Sequence, residues 1–170
     1  MLLPKETPRL CFGRVTMDDL DFVASMMAHP EVTRYYPRAY TRDESAQWIQ
    51  RQLHRYEKDG HGLWLVSERG TGQPVGQVGL MIQEVDEKQE PEIGWLIHFP
   101  FWRRYYATEA ALAVRSLAFE QMNLPYVLSM IRPENTPSQG VARKLGMKPV
   151  RETLFHGFQH LVFRVEASDV

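Results

Sequence analysis

The chain has one cysteine, Cys11, so no internal disulfide can form. A lone thiol fits a reducing compartment, and the cytoplasm is the expected location. Within "RLCFGRV" it reads as a packed strand residue and not a reactive group. Charge of one sign is not in excess either: 20 Lys and Arg against 21 Asp and Glu leave a formal net charge of −1. Such a balance exerts no general pull on nucleic acid or on anionic lipid, and neither is expected as a partner. No apolar run approaches the ~20 residues that span a bilayer. The opening "MLLPKETPRL" lacks the basic start and apolar stretch of a signal peptide. His156 and His160 are not spaced with other His, Cys or acidic clusters as metal ligands are, so no metal is expected. Internal repeats, low-complexity tracts and interdomain linkers are absent as well.

What the chain does have is enough length and apolar content for one domain, 170 residues and 44% hydrophobic, spanning residues 1–170. The run from about Arg9 to Thr16 alternates as a strand. "TMDDLDFVASMMAHP" then reads as a helix capped at Thr16 or Asp18, with Leu20, Val23, Met26 and Met27 on one face. "TRDESAQWIQRQLHRYEKDG" opens with Thr41 and Glu44 in capping-box spacing and stops at Gly60. Its apolar face is Trp48, Ile49, Leu53 and Tyr56. The middle changes period: "GLWLVSER", "PVGQVGLMIQE" and "PEIGWLIHF" read as a three-strand meander. The charge run "DEKQE" between the last two reads as a solvated loop.

Helical period returns in "TEAALAVRSLAFEQMN", with Leu112, Leu117, Phe119 and Met122 near one side. "YVLSMI" is a short apolar strand of the kind covered on both faces. "NTPSQGVARKLG" is a short helix stopped by Gly146, and "KPVRETLF" and "HLVFRVE" close the chain as strands. The fold class is a mixed α/β (α+β) domain.

Two segments carry chemistry. From Glu92 to Ala110 the chain runs strand, tight turn, helix, and a helix start offers unpaired N–H groups and partial positive charge to an anion. Glycine favours such turns, yet every non-proline residue supplies the N–H donor. Arg103 and Arg104 add charge that can pair with phosphate. Taken alone, the turn reads equally as a basic, aromatic surface loop. In "MIRPENTPSQGVARKLG", Asn135 and Ser138 sit at the next helix start. There they can cap the helix and also hydrogen-bond outward. Two helix starts at the ends of neighbouring strands favour a ligand site where strand ends face a gap.

These residues resemble the GNAT superfamily of N-acetyltransferases, in the branch containing the ribosomal-protein N-terminal (alanine/serine) acetyltransferases. "PEIGWLIHFPFWRRYYATEA" resembles its fourth strand and coenzyme-binding turn, and "ENTPSQGVARKLGMKPV" its Asn-x-x-Ser segment. "TPRLCFGRVTMDDLDFV" and "HGFQHLVFRV" resemble its first and last elements. The resemblance implies a mixed, mostly antiparallel sheet of about seven strands, splayed between strands 4 and 5 and flanked by about four helices. It implies acetyl-coenzyme A as the acyl donor and a primary amine, on a protein N-terminus or a small molecule, as the acceptor. A homodimer is compatible with it. Carried over, the backbone of Leu96 and Ile97 pairs with pantetheine. Arg103, Arg104, Tyr105, Tyr106, Ala107 and Thr108 hold the pyrophosphate, Asn135 contacts pantetheine, and Ser138 lies near the sulfur.

The turn departs from the family pattern Gln/Arg-x-x-Gly-x-Gly/Ala, because Pro100, Arg103 and Tyr105 occupy its defined positions. Ala142 stands where many members have a tyrosine general acid, which leaves Ser138 to meet the departing thiolate. Glu92 is the first choice for general base, against the alternative of a solvent-facing acid at a strand end. His98 is the second choice. A backbone N–H near Ile97 is the oxyanion donor by analogy. Tyr35 and Tyr36 wall the acceptor pocket or simply pack. The alternative to an enzyme is a catalytically weakened acyl-coenzyme A-binding module, suggested by the missing glycines and tyrosine.

Overall fold

The computed structural model describes residues 2–170. A seven-stranded sheet runs β1 (Leu10–Arg14), β2 (Leu63–Glu68), β3 (Pro74–Val85), β4 (Lys88–Ile97), β5 (Tyr126–Ile131), β7 (Phe158–Glu166) and β6 (Lys148–Phe155). Neighbours are antiparallel except β4 and β5, which are parallel. Four helices flank it: α1 (Leu20–Ala28), α2 (Arg42–Asp59), α3 (Tyr106–Ser116) and α4 (Thr136–Lys144). The expected sheet, its strand count and its helix count are all present.

Local chemistry sets the boundaries. Thr16 and Asp19 form a capping box on a 3-10 turn that leads into α1. Thr41 and Glu44 form a second box on α2, which ends at Gly60 in the left-handed region, φ 78°. Asn135 caps α4 by accepting the Ser138 N–H.

The β3–β4 register sorts side chains onto two faces. Gln77 pairs with Leu96 and Met81 with Glu92, while Val78 pairs with Trp95 and Leu80 with Ile93. The first set faces α2, where Trp48 Nε1–H donates to Gln77 Oε1 at 2.8 Å. The second set is left for the opposite face, on which α3 packs against β3 and β4.

Two sequence expectations change. "DEKQE" is not a loop: Asp86 and Glu87 alone make a two-residue turn with φ of 50° and 63°, and β4 begins at Lys88. Glu90 is buried, because Tyr126 Oη–H donates to its carboxylate and Arg151 lies 3.8 Å from it. On α3 and the π-helical turn Leu117–Gln121 that extends it, Leu117 is fully buried as expected, but Leu112, Phe119 and the adjoining Met122 are only partly so. The contact face is instead Ala110, Ala111, Val114 and Ala118, whose small side chains bring the helix close to the sheet.

Candidate functional site

The sheet opens between β4 and β5, which share the single register pair Glu92–Leu128 among the described residues. Beyond it the strands are stitched by side chains. Ser129 Oγ–H donates to the Ile93 carbonyl at 2.7 Å, and the Met130 N–H donates to Glu92 Oε1 at 3.2 Å. Which β4 peptides face the opening follows from ladder alternation. The His98 N–H donates to the Val75 carbonyl at 2.8 Å, so even-numbered residues of β4 bond to β3. Ile93, Trp95 and Ile97 therefore turn their peptides to the gap. This corrects the expectation for Leu96, whose N–H and C=O belong to the β3 ladder opposite Gln77. Trp95 takes its place. The Ile97 carbonyl accepts Trp102 Nε1–H at 2.7 Å, which leaves its N–H as the gap-facing donor.

After β4 and a 3-10 turn at Phe99–Phe101, the chain enters α3 through Arg103 to Thr108. Arg103 and Tyr105 have φ of 62° and 63°, the left-handed region that glycine would adopt without strain. The turn thus keeps a glycine-type conformation with non-glycine residues. No N–H from Arg103 to Thr108 donates to a protein group among the described residues. Successive donors in alternating conformation at the positive end of α3 make a concavity of the kind suited to an anion.

An N-terminal clamp holds this conformation. Arg9 Nη2 donates to the Arg104 carbonyl at 2.9 Å and its guanidinium lies 4.7 Å from the Tyr106 ring centre. Arg9 Nε donates to Glu109 Oε2 at 2.7 Å, and Thr7 Oγ1–H to Glu109 Oε1 at 2.6 Å. The Tyr106 hydroxyl donates to Glu68 at 2.7 Å, and Arg104 lies 3.7 Å from the same carboxylate. Tyr106 thus offers an anion only its backbone, whereas the exposed Arg103 side chain has no ion-pair partner among the described residues. Arg103→Gly is expected to raise the melting temperature by about 1–2 °C. Relief of left-handed strain, about 1 kcal/mol, outweighs the entropy glycine adds to the unfolded chain. A thermal scan showing a fall instead would contradict the strain.

Glu92 is neither at a strand start nor facing solvent; it lies within β4 and is 8% exposed. Burial raises its pKa, opposed by the Met130 N–H, by Gln83 and by the charge of Arg55. Tyr36 is half-buried beside it. Burial, then Tyr40 and the Glu92 charge, push its phenol above the usual range. Tyr35 turns its carbonyl to Arg132, at 3.5 Å.

Ser138 stands across the opening, where its Oγ accepts Trp95 Nε1–H at 3.2 Å, so its own proton remains available to donate. The Asn135 carboxamide oxygen accepts the Ser138 N–H at 3.2 Å, leaving the amide NH2 to point elsewhere. Ala142 is fully buried in α4.

His98 does not join this group. At strand rise it lies about 20 Å along β4 from Glu92. Its Nδ1 accepts the Phe99 N–H at 3.1 Å, and Nε2 is 3.4 Å from Ser25 Oγ. Burial and then His29 lower its pKa, and the ring packs edge-on to Phe22 of α1. His156 occupies the β6–β7 turn with φ 49°, and His160 packs edge-on to Phe155. Sequence reasoning missed Arg9, Arg55, Trp95 and Arg132. The one available signal was Glu109 in "YATEA", an acid at a helix start in need of a partner.

The arrangement is a split sheet with an anion cradle at one strand end and a buried carboxylate and a hydroxyl beside the opening. The acetyltransferase (GNAT) domain family matches residues 9–148, and the chain belongs to it. It is accordingly an acyltransferase. The Bacillus subtilis protein named uncharacterized N-acetyltransferase YnaD is 27% identical over 149 residues, 88% of this chain and 84% of its own. A crystal structure of an acetyltransferase from Agrobacterium tumefaciens superposes with a TM-score of 0.82 at 29% identity, covering 98% of this chain and 95% of that one. RimL, a ribosomal L7/L12 alpha-N-protein acetyltransferase in complex with coenzyme A, shares the fold with a TM-score of 0.76 at 9% identity, over 96% and 97% of the two chains. No helix among the described residues is long and apolar enough to cross a membrane.

Proposed function

We propose that the protein transfers the acetyl group of acetyl-coenzyme A to a primary amine by direct attack. The observation that carries this reading is Glu92, a buried carboxylate at the one rung that joins β4 to β5. An amine must be neutral to attack, and a carboxylate of raised pKa is suited to take its proton near neutral pH. Acetyl-coenzyme A supplies the acyl group as a thioester. The N–H groups from Arg103 to Thr108 and the Arg103 side chain would hold its pyrophosphate. Arg104 would contribute through its backbone, since its side chain is engaged by Glu68. The peptides of Trp95 and Ile97, with the Asn135 amide, would hold its pantetheine.

The amine nitrogen bonds to the acyl carbon, Glu92 takes the amine proton and the C–S bond breaks toward sulfur. The gap-facing N–H of Trp95 or Ile97 donates to the carbonyl oxygen as charge gathers there. The Ser138 hydroxyl donates to the sulfur, with Trp95 holding its oxygen in place. Ser138→Ala is expected to lower kcat on the order of 10²-fold, read as release of free thiol. An unchanged kcat would remove Ser138 from the mechanism.

The binding-only alternative drew on the absent glycines, and the left-handed Arg103 and Tyr105 weaken that ground. Incubation with acetyl-coenzyme A and a panel of amines and N-terminal peptides tests the choice. Thiol release supports transfer; tight calorimetric binding of coenzyme A with no release under any acceptor supports the module. No binding of any coenzyme A species defeats both.

A further inference from the structure

Most arginines near acids in this fold are paired, but two on α2 are not. Arg51 and Arg55, one helical turn apart, form no ion pair among the described residues. Arg51 is exposed, with its guanidinium 5.6 Å from the Trp48 ring centre. Arg55 is half-buried, and its contacts are poor for a group with five donors. Nη1 reaches the Gln52 carboxamide at 3.5 Å, the outer limit for such a bond, and the Met81 sulfur at 3.2 Å, a weak acceptor. Met81 is the cross-strand neighbour of Glu92 on the same face. The guanidinium therefore sits beside the carboxylate assigned to the acceptor amine. Burial lowers the Arg55 pKa and the nearby Glu92 charge opposes this, yet the two form no ion pair, and Glu92 Oε1 accepts the Met130 N–H. A partly desolvated guanidinium with no direct carboxylate partner keeps donors that a ligand carboxylate can fill.

We propose that Arg55 anchors a carboxylate of the acceptor, so that the substrate is an amine carrying a carboxylate a few bonds away. This rests on the acetyl-transfer reading. The acceptor spans the Glu92–Arg55 pair, its amine at Glu92 and its carboxylate forked on the guanidinium. Arg51 extends the positive edge toward solvent. The carboxylate can belong to a free amino acid or to an acidic residue beside a peptide N-terminus.

The test uses the full chain with acetyl-coenzyme A and four sets of acceptors: amino acids, their amides, the corresponding decarboxylated amines, and dipeptides with aspartate or glutamate second. Expected is a preference for carboxylate-bearing acceptors in the amino-acid or dipeptide arm, the responding arm naming the source. Arg55→Gln lowers kcat/KM for those acceptors, through KM, by about ten- to a hundredfold more than for amides and plain amines, whose smaller change reflects the charge removed from beside Glu92. Arg55→Lys restores part of the loss. An equal loss for all four sets would show that Arg55 only supports the fold or tunes Glu92, and would overturn the proposal. So would a preference for amides. Calorimetry of the coenzyme A-loaded protein with the same compounds separates this failure from failure of the transfer reading. Carboxylate-selective binding that Arg55→Gln abolishes sustains the anchor even without turnover, and its absence overturns it.

Discussion

Glu92→Gln is expected to lower kcat by about 10²–10⁴-fold and at the same time to stabilise the protein at neutral pH. The two effects have one cause. Burial raises the folded-state pKa of Glu92 above its unfolded value, so the fold favours the protonated acid. That preference contributes stability fully below the unfolded carboxylate pKa of about 4.3, and the contribution is lost as pH rises through the raised folded value. Glutamine never ionises, so the variant escapes the cost of a desolvated charge. Melting curves of variant and wild type should converge in acid and separate toward neutrality, with the variant higher. The kinetic sign is opposite: wild-type kcat/KM climbs with pH as Glu92 ionises, and that limb disappears in the variant. A variant with wild-type turnover, or one that keeps the limb, would place the base elsewhere.

The second large effect is on folding. Gly79 lies where three strands meet, paired with Leu63 on β2 and Gly94 on β4. A Cβ there would come within 1.9 Å of the Gly62 carbonyl oxygen and 2.7 Å of the Leu63 Cα. Both are backbone atoms, so no side-chain rotation relieves the overlap, and the β2–β3 ladder must separate. Gly79→Ala is expected to cost more than about 4 kcal/mol, a large share of a domain's stability. The readout is loss of soluble protein, or a melting temperature lower by about 10 °C or more. Gly70→Ala, in an open turn with nothing within 4 Å, serves as the control and should be near neutral. Equal stability of the two variants would refute the packing argument.

Legibility in the sequence followed the range of the physics involved. Thr41, Glu44, Gly60 and Asn135 act within one helical turn, and the boundaries they imply are those observed. The succession of strands and helices along the chain follows from period, which is also local, whereas the opening between β4 and β5 came only from the family resemblance. What escaped depended on distant partners or on parity. Glu90 looked solvated because Tyr126 and Arg151, which cover it, are remote in the chain. The resemblance places Leu96 at the opening, but which peptides of a strand face which neighbour is a matter of parity that the His98–Val75 bond settles. The left-handed conformation of Arg103 and Tyr105 could not be read from residues that seldom adopt it. Its support comes from Arg9, nearly a hundred positions earlier in the chain.

The single rung between β4 and β5 divides the labour of the protein between two unequal plates. The four-strand plate, β1 to β4, bears the anion cradle, the buried carboxylate and the arginines of α2. The three-strand plate, β5 to β7, bears Asn135 and Ser138 on the loop and helix that follow β5. Neither plate holds a complete set. If the smaller plate loosens as a cooperative unit, the proposed phosphate seat survives while Asn135 and Ser138, proposed to meet the pantetheine and the sulfur, are displaced. Competence for transfer is then a property of the docked halves.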